Sequence, residues 1–599
     1  MSFWSYLALE LDANYFFFSS RRKFLPDGHW LMTNRFDMEG FIPAVVAEEE
    51  NRHQLQEDEE DEDQDDLMNE TYEPSGLIGT GRAQQTRRIE ALRRRQQQAA
   101  RRKQLEAVAP RLEILRNMPF FIPFPTRVQI FREFIYRDQI RRRQGYIDPD
   151  VWRMSVAQAS MGRMVEGRPV AQDILSRHHA DIKRDSVFDD AFEQFYELGD
   201  GLKEPIQITF IDKFNTPEAG IDGGGVTKEF LTSVTNEAFK SNRELPLFEE
   251  NDEHLLYPNP SAVEQRRELL RQAGYLERSA EWNEQIRDLL RRYEFLGRVI
   301  GKCLYEGILV DVHFAPFFLL KWALTGGTSS AQKETAYRAN LNDMRDLDQG
   351  LYQGLVSRLK GVVVYIRTNI EPSLLQLQLK NYTGDVEDFA LNFTVSDTIS
   401  VPGSASRTIT RDLKAYGSDI PVTNQNRLVY ISYIARYRLQ AQPALQTNAF
   451  LQGLGQIIQP SWLSMFNQSE LQTLVGGESG DIDVSDLRRN TLYGGLYVIG
   501  DDNEEHPTIK LFWEVLSKMS NEERQMVLKF VTSTPRAPLL GFSHLNPRFS
   551  IRDSSEDQER LPSTSTCVNL LKLPRYSSAQ VLREKLLYAV SSGAGFDLS

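Results

Sequence analysis

The chain has 599 residues, enough for several domains, and its 41% hydrophobic and 26% charged residues suit a buried core under a solvated surface. A formal net charge of −14 argues against nucleic acid or an anionic membrane as the main partner. With only two cysteines there is neither a disulfide framework nor a structural zinc site, which points to a reducing compartment.

Residues 1–47 mix aromatics (Phe3, Trp4, Tyr15 to Phe18, Trp30) with few clear periods and read as an N-terminal segment, the remnant of a larger helical region. The run Tyr15 to Phe18 is far too short for a bilayer, and Glu10 and Asp12 interrupt what would be a signal-peptide core, so an intracellular soluble protein is expected. Residues 48–80 form a linker around the acidic run Glu57 to Asp66, where self-repulsion and the lack of apolar side chains oppose folding. Residues 81–118 turn basic. Arg87 to Lys103 consists of strong helix formers, but no large apolar side chain lies between Arg93 and Gln104, which predicts a solvated helix. Lacking interleaved aromatics, it is not read as a nucleic-acid arm.

Pro119, Pro123 and Pro125 end that helix, and residues 119–200 read as a helical connector with an apolar face at Phe188, Ala191, Phe192 and Phe195. Ile206, Ile208 and Phe210 alternate as a strand. Gly220 to Gly225 follows and opens a helix through Phe230, Leu231, Val234 and Ala238. Neither phosphate-loop spacing is met there, so the glycines read as a tight turn. Residues 283–310 carry Leu289, Tyr293, Leu296, Ile300 and Leu304 at helical spacing. Cys303 lies on that stripe and is assigned to the core, and Gly297 and Gly301, four apart, allow close helix packing.

The run from His313 to Trp322 is apolar on too many sides for a single stripe, and reads either as core or as a groove for a partner. Residues 421–475 predict helices capped at Thr423 and Asn424, with stripes Leu428, Ile431, Ile434 and Phe450, Leu454, Ile457. Residues 478–487, with Gly480, Asp481, Asp483 and Asp486, read as a hinge. Residues 488–599 predict two helices, the second opened by a capping box at Ser520 and Glu523, then short strands and a last helix through Leu582 and Leu586.

Before that last helix lies Leu561-Pro-Ser-Thr-Ser-Thr-Cys567-Val-Asn-Leu-Leu-Lys-Leu-Pro574. Pro562 and the run Ser563 to Thr566 have loop chemistry, while Val568, Leu570 and Leu573 read as a short strand closed by Pro574. Free cysteine usually packs as a small buried hydrophobe, but no apolar residue occupies the four positions before Cys567. An unperturbed thiol, with a pKa of about 8.5, is a competent nucleophile at neutral pH. The nearest histidine in sequence is His544, so a papain-like cysteine hydrolase would need a base brought in by the fold.

This stretch resembles the active-site signature of HECT ubiquitin ligases, and the match continues through Leu582 to Ala589 and the ending Gly595-Phe-Asp-Leu-Ser599. The wording is similar to that family from about residue 190 onward, closest to its proteasome-associated branch. The resemblance implies an α+β, bilobal catalytic domain. Residues 201–477 would be a mostly helical N-lobe containing a subdomain that binds the ubiquitin-conjugating enzyme, and residues 488–599 a small α/β C-lobe. Cys567 would hold ubiquitin as a thioester, aided by Thr566, which donates to the thioester carbonyl or closes the loop on backbone. Phe596 would help place the C-lobe for transfer. Phe318, Leu320 and Phe393 would contact the conjugating enzyme. The implied partners are ubiquitin, a conjugating enzyme, substrate proteins and the proteasome, in cytoplasm and nucleus, with no metal or cofactor. A scaffold that binds without transferring is the other reading.

The family pattern runs Leu351 to Leu355 almost directly into Leu377 to Gly384, but here residues 356–376 intervene, beginning Val-Ser and ending in Gln. We read them as a retained intron, or else as a branch-specific loop, within the conjugating-enzyme subdomain. Sequencing the transcript is expected to reveal a spliced form lacking these codons; a mature message that always encodes them refutes this.

Overall fold

The computed structural model describes residue 31 and residues 40–50, 114–115, 118–159, 164–165, 168–169, 175–212, 214–218, 225–240, 246–324, 339, 341–352, 386–403, 405–478, 480–500 and 504–591. Residues 48–50, assigned to the acidic linker, instead continue a helix over residues 40–50, with Glu48 and Glu49 buried; the rest of the linker, nearly all of the basic helix, the glycine turn before Gly225 and the insertion at 356–376 lie outside the described residues. Mixed helices and small sheets make the chain α+β. Among the described residues, no helix is long and apolar enough to cross a membrane.

Two compact units form. One comprises the chain up to Arg141 together with Met465–Asn467. Its main helix, α1 (Phe124–Arg142), buries Val128, Phe131 and Ile135 at helical spacing. Phe466 meets the rings of Phe124 and Phe131 edge-on at 6.0 and 5.7 Å, and the Arg127 guanidinium donates to the carbonyls of Ile122 (2.9 Å) and Met465 (2.6 Å).

The other unit, Arg142–Ser464 with Gln468–Ser599, opens with a parallel crossover. Strand β1 (His179–Lys183) pairs with β2 (Gln207–Ile211) in the register His179 opposite Gln207, and α2 (Val187–Phe195) connects them. Ala180, Ile182, Ile208 and Phe210 alternate inward, the period-two pattern of a half-buried strand pair. This crossover spans the connector boundary placed at residue 200, so the boundary cuts through one folded piece. Helix α3 (Gly225–Ala238) follows and buries Phe230, Leu231, Val234 and Ala238.

Helix α4 (Ala280–Glu306) is the longest. Its N-cap Ser279 accepts from the Trp282 amide (3.1 Å), and Gly307, at φ 72°, ends it four residues before the expected stop. Its stripe packs on α7 (Ala444–Ile457), where the glycines let the backbones touch. A methyl on Gly297 would overlap the Phe450 carbonyl oxygen, and one on Gly301 would sit 2.7 Å from the Ile457 Cβ. Between them in sequence come α5 (Pro316–Leu324), the antiparallel hairpin β3 (Thr394–Ile399) with β4 (Arg407–Asp412), and α6 (Arg427–Arg436). Asn426, not Thr423 or Asn424, occupies the N-cap of α6. The buried stripe of α6 is Tyr430, Ile431 and Ile434, leaving Leu428 exposed. Val386, Phe393, Val395, Val422, Tyr430, Ile431 and Ile434 form a small separate core.

A further core uses only residues between Ile482 and Leu586. Asp483 begins it by capping α8 (Val484–Arg489), accepting from the amides of Ser485 (2.8 Å) and Asp486 (3.0 Å). The Asp486 carboxylate in turn accepts from the Phe542 amide at 2.8 Å. These carboxylates, assigned from sequence to a hinge, belong to the folded module, and the connection shortens to the stretch around Gly477, which has φ +89°. Strand order in the module's sheet is β7 (Ser563–Ser565), β8 (Leu570–Leu573), β6 (Ser550–Asp553), β5 (Leu492–Gly494), with β6 parallel to both neighbours and β7 antiparallel to β8. Helices α9 (Pro507–Lys518), α10 (Asn521–Thr532) and α11 (Ala579–Ser591) cover it, and the expected capping box at Ser520 and Glu523 opens α10.

Because the α4–α7 approach meets backbone that cannot rotate away, Gly297→Ala should destabilise the protein by about 2 kcal/mol or more. Chemical denaturation measures this; a change under half that size would mean that the helices separate easily.

Candidate active site

Cys567 sits at the tip of a tight β-hairpin. β7 and β8 pair Ser563 with Lys572, Thr564 with Leu571 and Ser565 with Leu570, and the chain reverses through a single 3-10 turn, Thr566–Val568. The hydroxyl run read as loop is therefore mostly a strand, because Ser563 and Thr564 are buried against the module. The inward phase of β8 is Leu571 and Leu573, both fully buried; Val568 belongs to the turn and Leu570 is half-buried.

Asn569 closes the turn. Its φ of 50° lies in the left-handed region, which asparagine tolerates better than most residues because its short amide bonds locally. The residue is fully buried and all its polar groups are engaged. Its amide donates to the Thr566 carbonyl (3.3 Å), and its own carbonyl accepts from the Ser550 amide (2.9 Å). Its side-chain nitrogen donates to the Pro547 carbonyl, and its side-chain oxygen accepts from the Lys228 ammonium. Lys228 also reaches the Thr566 carbonyl at 3.4 Å. The turn is thereby tied to β6 within its own module and to α3 outside it.

Sequence reasoning missed both residues. Asn569 carried a local signal, an asparagine two positions past the cysteine and just before a strand. Lys228 carried none, being 341 residues from its partner.

Cys303 behaves as expected from its stripe. It is 2% exposed on α4, and burial pushes its thiol pKa up to about 12. The nearest histidine in sequence, His544, stands on the 3-10 helix Phe542–His544, with its Nδ1 against the Leu540 carbonyl oxygen at 3.0 Å.

Three residues chosen as conjugating-enzyme contacts are placed otherwise. Phe318 is 0% and Leu320 is 1% exposed, on an α5 buried almost all round. Phe318 meets Phe314, Trp322 and Phe450 at 5.6, 5.7 and 5.2 Å, centre to centre. Phe393, also 0% exposed, lies inside the small core against Tyr430 at 5.4 Å, with the Lys414 ammonium 3.8 Å over its ring. None offers surface to a partner, which corrects the groove reading: a helix apolar on every side is enclosed on every side. The apolar groups exposed around that small core are Phe389, Leu391, Tyr416, Leu428 and Val429. Phe596 lies outside the described residues.

A family model described as HECT-domain (ubiquitin-transferase) matches residues 232–599. A probable E3 ubiquitin protein ligase of Schizosaccharomyces pombe is 39% identical over 97% of this chain and 44% of its own length. The E3 ubiquitin-protein ligase HUL5 of Saccharomyces cerevisiae is 39% identical over 82% of this chain and 45% of its own length. Human ubiquitin-protein ligase E3B is 32% identical over 81% of this chain and 40% of its own length. The chain thus spans less than half the length of each of these relatives.

With its thiol held neutral, Cys303 should resist iodoacetamide in the folded protein at pH 8 and react only after denaturation. Peptide mass mapping reads this; rapid native labelling would show that the packing around Cys303 on α4 opens.

Proposed function

Because the chain belongs to the HECT-domain (ubiquitin-transferase) family, we propose that it is a ubiquitin-protein ligase working through a thioester on Cys567. The Cys567 thiolate attacks the carbonyl carbon of ubiquitin's C-terminal glycine on a conjugating enzyme. One C–S bond forms while the other breaks, so the exchange is close to isoenergetic. A substrate lysine nitrogen then attacks the same carbon, the C–N bond forms, the C–S bond breaks, and Cys567 leaves as thiolate. The amine proton passes to a nearby acidic residue or to water. Thr566 assists by donating to the thioester carbonyl.

The observation that carries this reading is the position of Cys567 at a hairpin tip, set in the family's wording, while burial silences the other cysteine. The bilobal reading rests on the separate core of the C-terminal module: the module from Ile482 onward acts as the C-lobe, and the residues before it, up to Gly477, supply the N-lobe. In this scheme Leu391, Tyr416, Leu428 and Val429, exposed around the small core, replace the buried picks as the conjugating-enzyme surface. Phe596 helps place the C-lobe for delivery. We place the protein in cytoplasm and nucleus, acting with the proteasome on substrates of protein quality control.

Given activating enzyme, conjugating enzyme, ATP and ubiquitin, the chain should form a reductant-sensitive adduct that Cys567→Ala abolishes and Cys303→Ala preserves. Phe596→Ala should load and then deliver more slowly to lysine. No adduct on the unmodified chain would favour a binding scaffold, and an adduct that water rapidly consumes without acceptor lysine would favour a hydrolase.

A further inference from the structure

The hairpin β3–β4 joins the small core around Phe393 to the helix Ala262–Gln272, which packs on α4. Its antiparallel register sets Val395 beside Arg411, Asp397 beside Ile409 and Ile399 beside Arg407 on one face. Val395 belongs to the small core, whereas Ile399 is buried outside it. Both arginines cross to the helix. Arg411 donates to Glu264 at 2.8 Å and Arg407 to Glu268 at 3.2 Å, and the Gln265 side chain donates to the Ser400 carbonyl at 3.4 Å. Four residues rise about 6 Å along a helix and about 13 Å along a strand, so the long arginine arms converge on carboxylates one helical turn apart. Arg267 and Arg271, from the helix itself, also donate to these two carboxylates at 2.8 Å each and hold them in place. Asp397 carries the connection onward. It accepts from Tyr437 and Arg438, which follow α6, the helix that exposes Leu428 and Val429.

We propose that Glu264 and Glu268 are positioning residues for loading: through Arg411 and Arg407 they fix the tilt of the small core, and with it the direction in which a bound conjugating enzyme presents its thioester. This rests on reading the exposed groups around that core as the conjugating-enzyme surface. Apolar packing is non-directional, whereas two charge-assisted bonds at the two ends of one strand form a two-point clamp that resists rotation. The pairs are partly exposed, so each adds little to folding stability, and their effect falls on orientation. Leu391, Tyr416, Leu428 and Val429 take no part in the clamp, so a tilted core still binds the conjugating enzyme but offers its thioester at the wrong angle to Cys567.

The test loads the full chain from a ubiquitin-charged conjugating enzyme and reads two quantities, the maximal loading rate constant and the concentration of charged enzyme that half-saturates it. Discharge of the preloaded chain onto free lysine is the third readout. Glu264→Arg with Glu268→Arg sets like charges against Arg411 and Arg407. It should lower the maximal loading rate roughly fivefold, with half-saturation and discharge each moving less than about twofold. Adding Arg407→Glu and Arg411→Glu to the same chain rebuilds both pairs with reversed sign and should recover most of the loss. An unchanged loading rate in the double variant would overturn the proposal, and so would a loss that the fourfold exchange leaves in place. Loading and discharge falling together would make the pairs merely structural, and a change confined to half-saturation would make them part of the docking surface; either result overturns it. Leu428→Glu should raise the half-saturating concentration. If it leaves loading untouched, the surface reading fails and the clamp with it, whereas an unmodified chain that never loads sinks the ligase reading itself.

Discussion

A single left-handed asparagine holds the Cys567 turn in shape. Asn569 takes a backbone conformation that most side chains avoid, and its engaged polar groups compensate for that conformation and for full burial. Through it the turn between β7 and β8 becomes rigid with respect to β6. Rigidity matters because the proposed chemistry brings one sulfur to two partners in succession. A turn that kept rearranging would lose the orientation that makes thioester exchange efficient, so motion is better placed in a connection than in the site.

The distribution of apolar side chains provides that connection. The C-terminal module has a core of its own, built on Phe512, Trp513, Ile551, Leu571, Leu573 and Leu586, and does not borrow side chains from the helices before it. The small cluster around Phe393 is likewise self-contained. By contrast, α4 and α7 are joined by backbone contact at Gly297 and Gly453, the tightest helix pair in the larger part, and cannot slide without loss of fit. Near Gly477 the chain passes between bodies that keep their own cores, joined there by polar contacts and one backbone bridge.

Buried cations recur as devices for holding irregular backbone. The Lys302 ammonium donates to the Glu204 carbonyl at 3.0 Å and to the Lys203 carbonyl at 3.3 Å, with Glu306 beside it at 2.6 Å. Burial lowers its pKa, and the Glu306 charge opposes that. Arg143 donates to the same Lys203 carbonyl at 3.0 Å, and the Lys321 ammonium reaches the Leu439 carbonyl at 2.6 Å. In each case a buried cation adds a donor to a carbonyl in or just past a short or distorted helical segment. Lys228 does the same for the Thr566 carbonyl, but across two bodies instead of within one.

What the sequence determined by itself was local. The stripe on α4 with Cys303 inside it, the alternation in β2, the capping box of α10 and the wording around Cys567 were all legible, because helix period, strand period and capping act over two to seven residues. The same locality set the limits. An apolar helix such as α5 does not reveal whether a partner or its own protein covers it, so Phe318 and Leu320 were assigned to a surface that the fold encloses. Carboxylates near glycines look like hinge until Asp483 and Asp486 find amides to accept from. Only the tertiary structure could place Lys228 against Asn569, because packing of α3 on the body and of the hairpin on its sheet brings together groups 341 residues apart, a distance over which no periodicity survives.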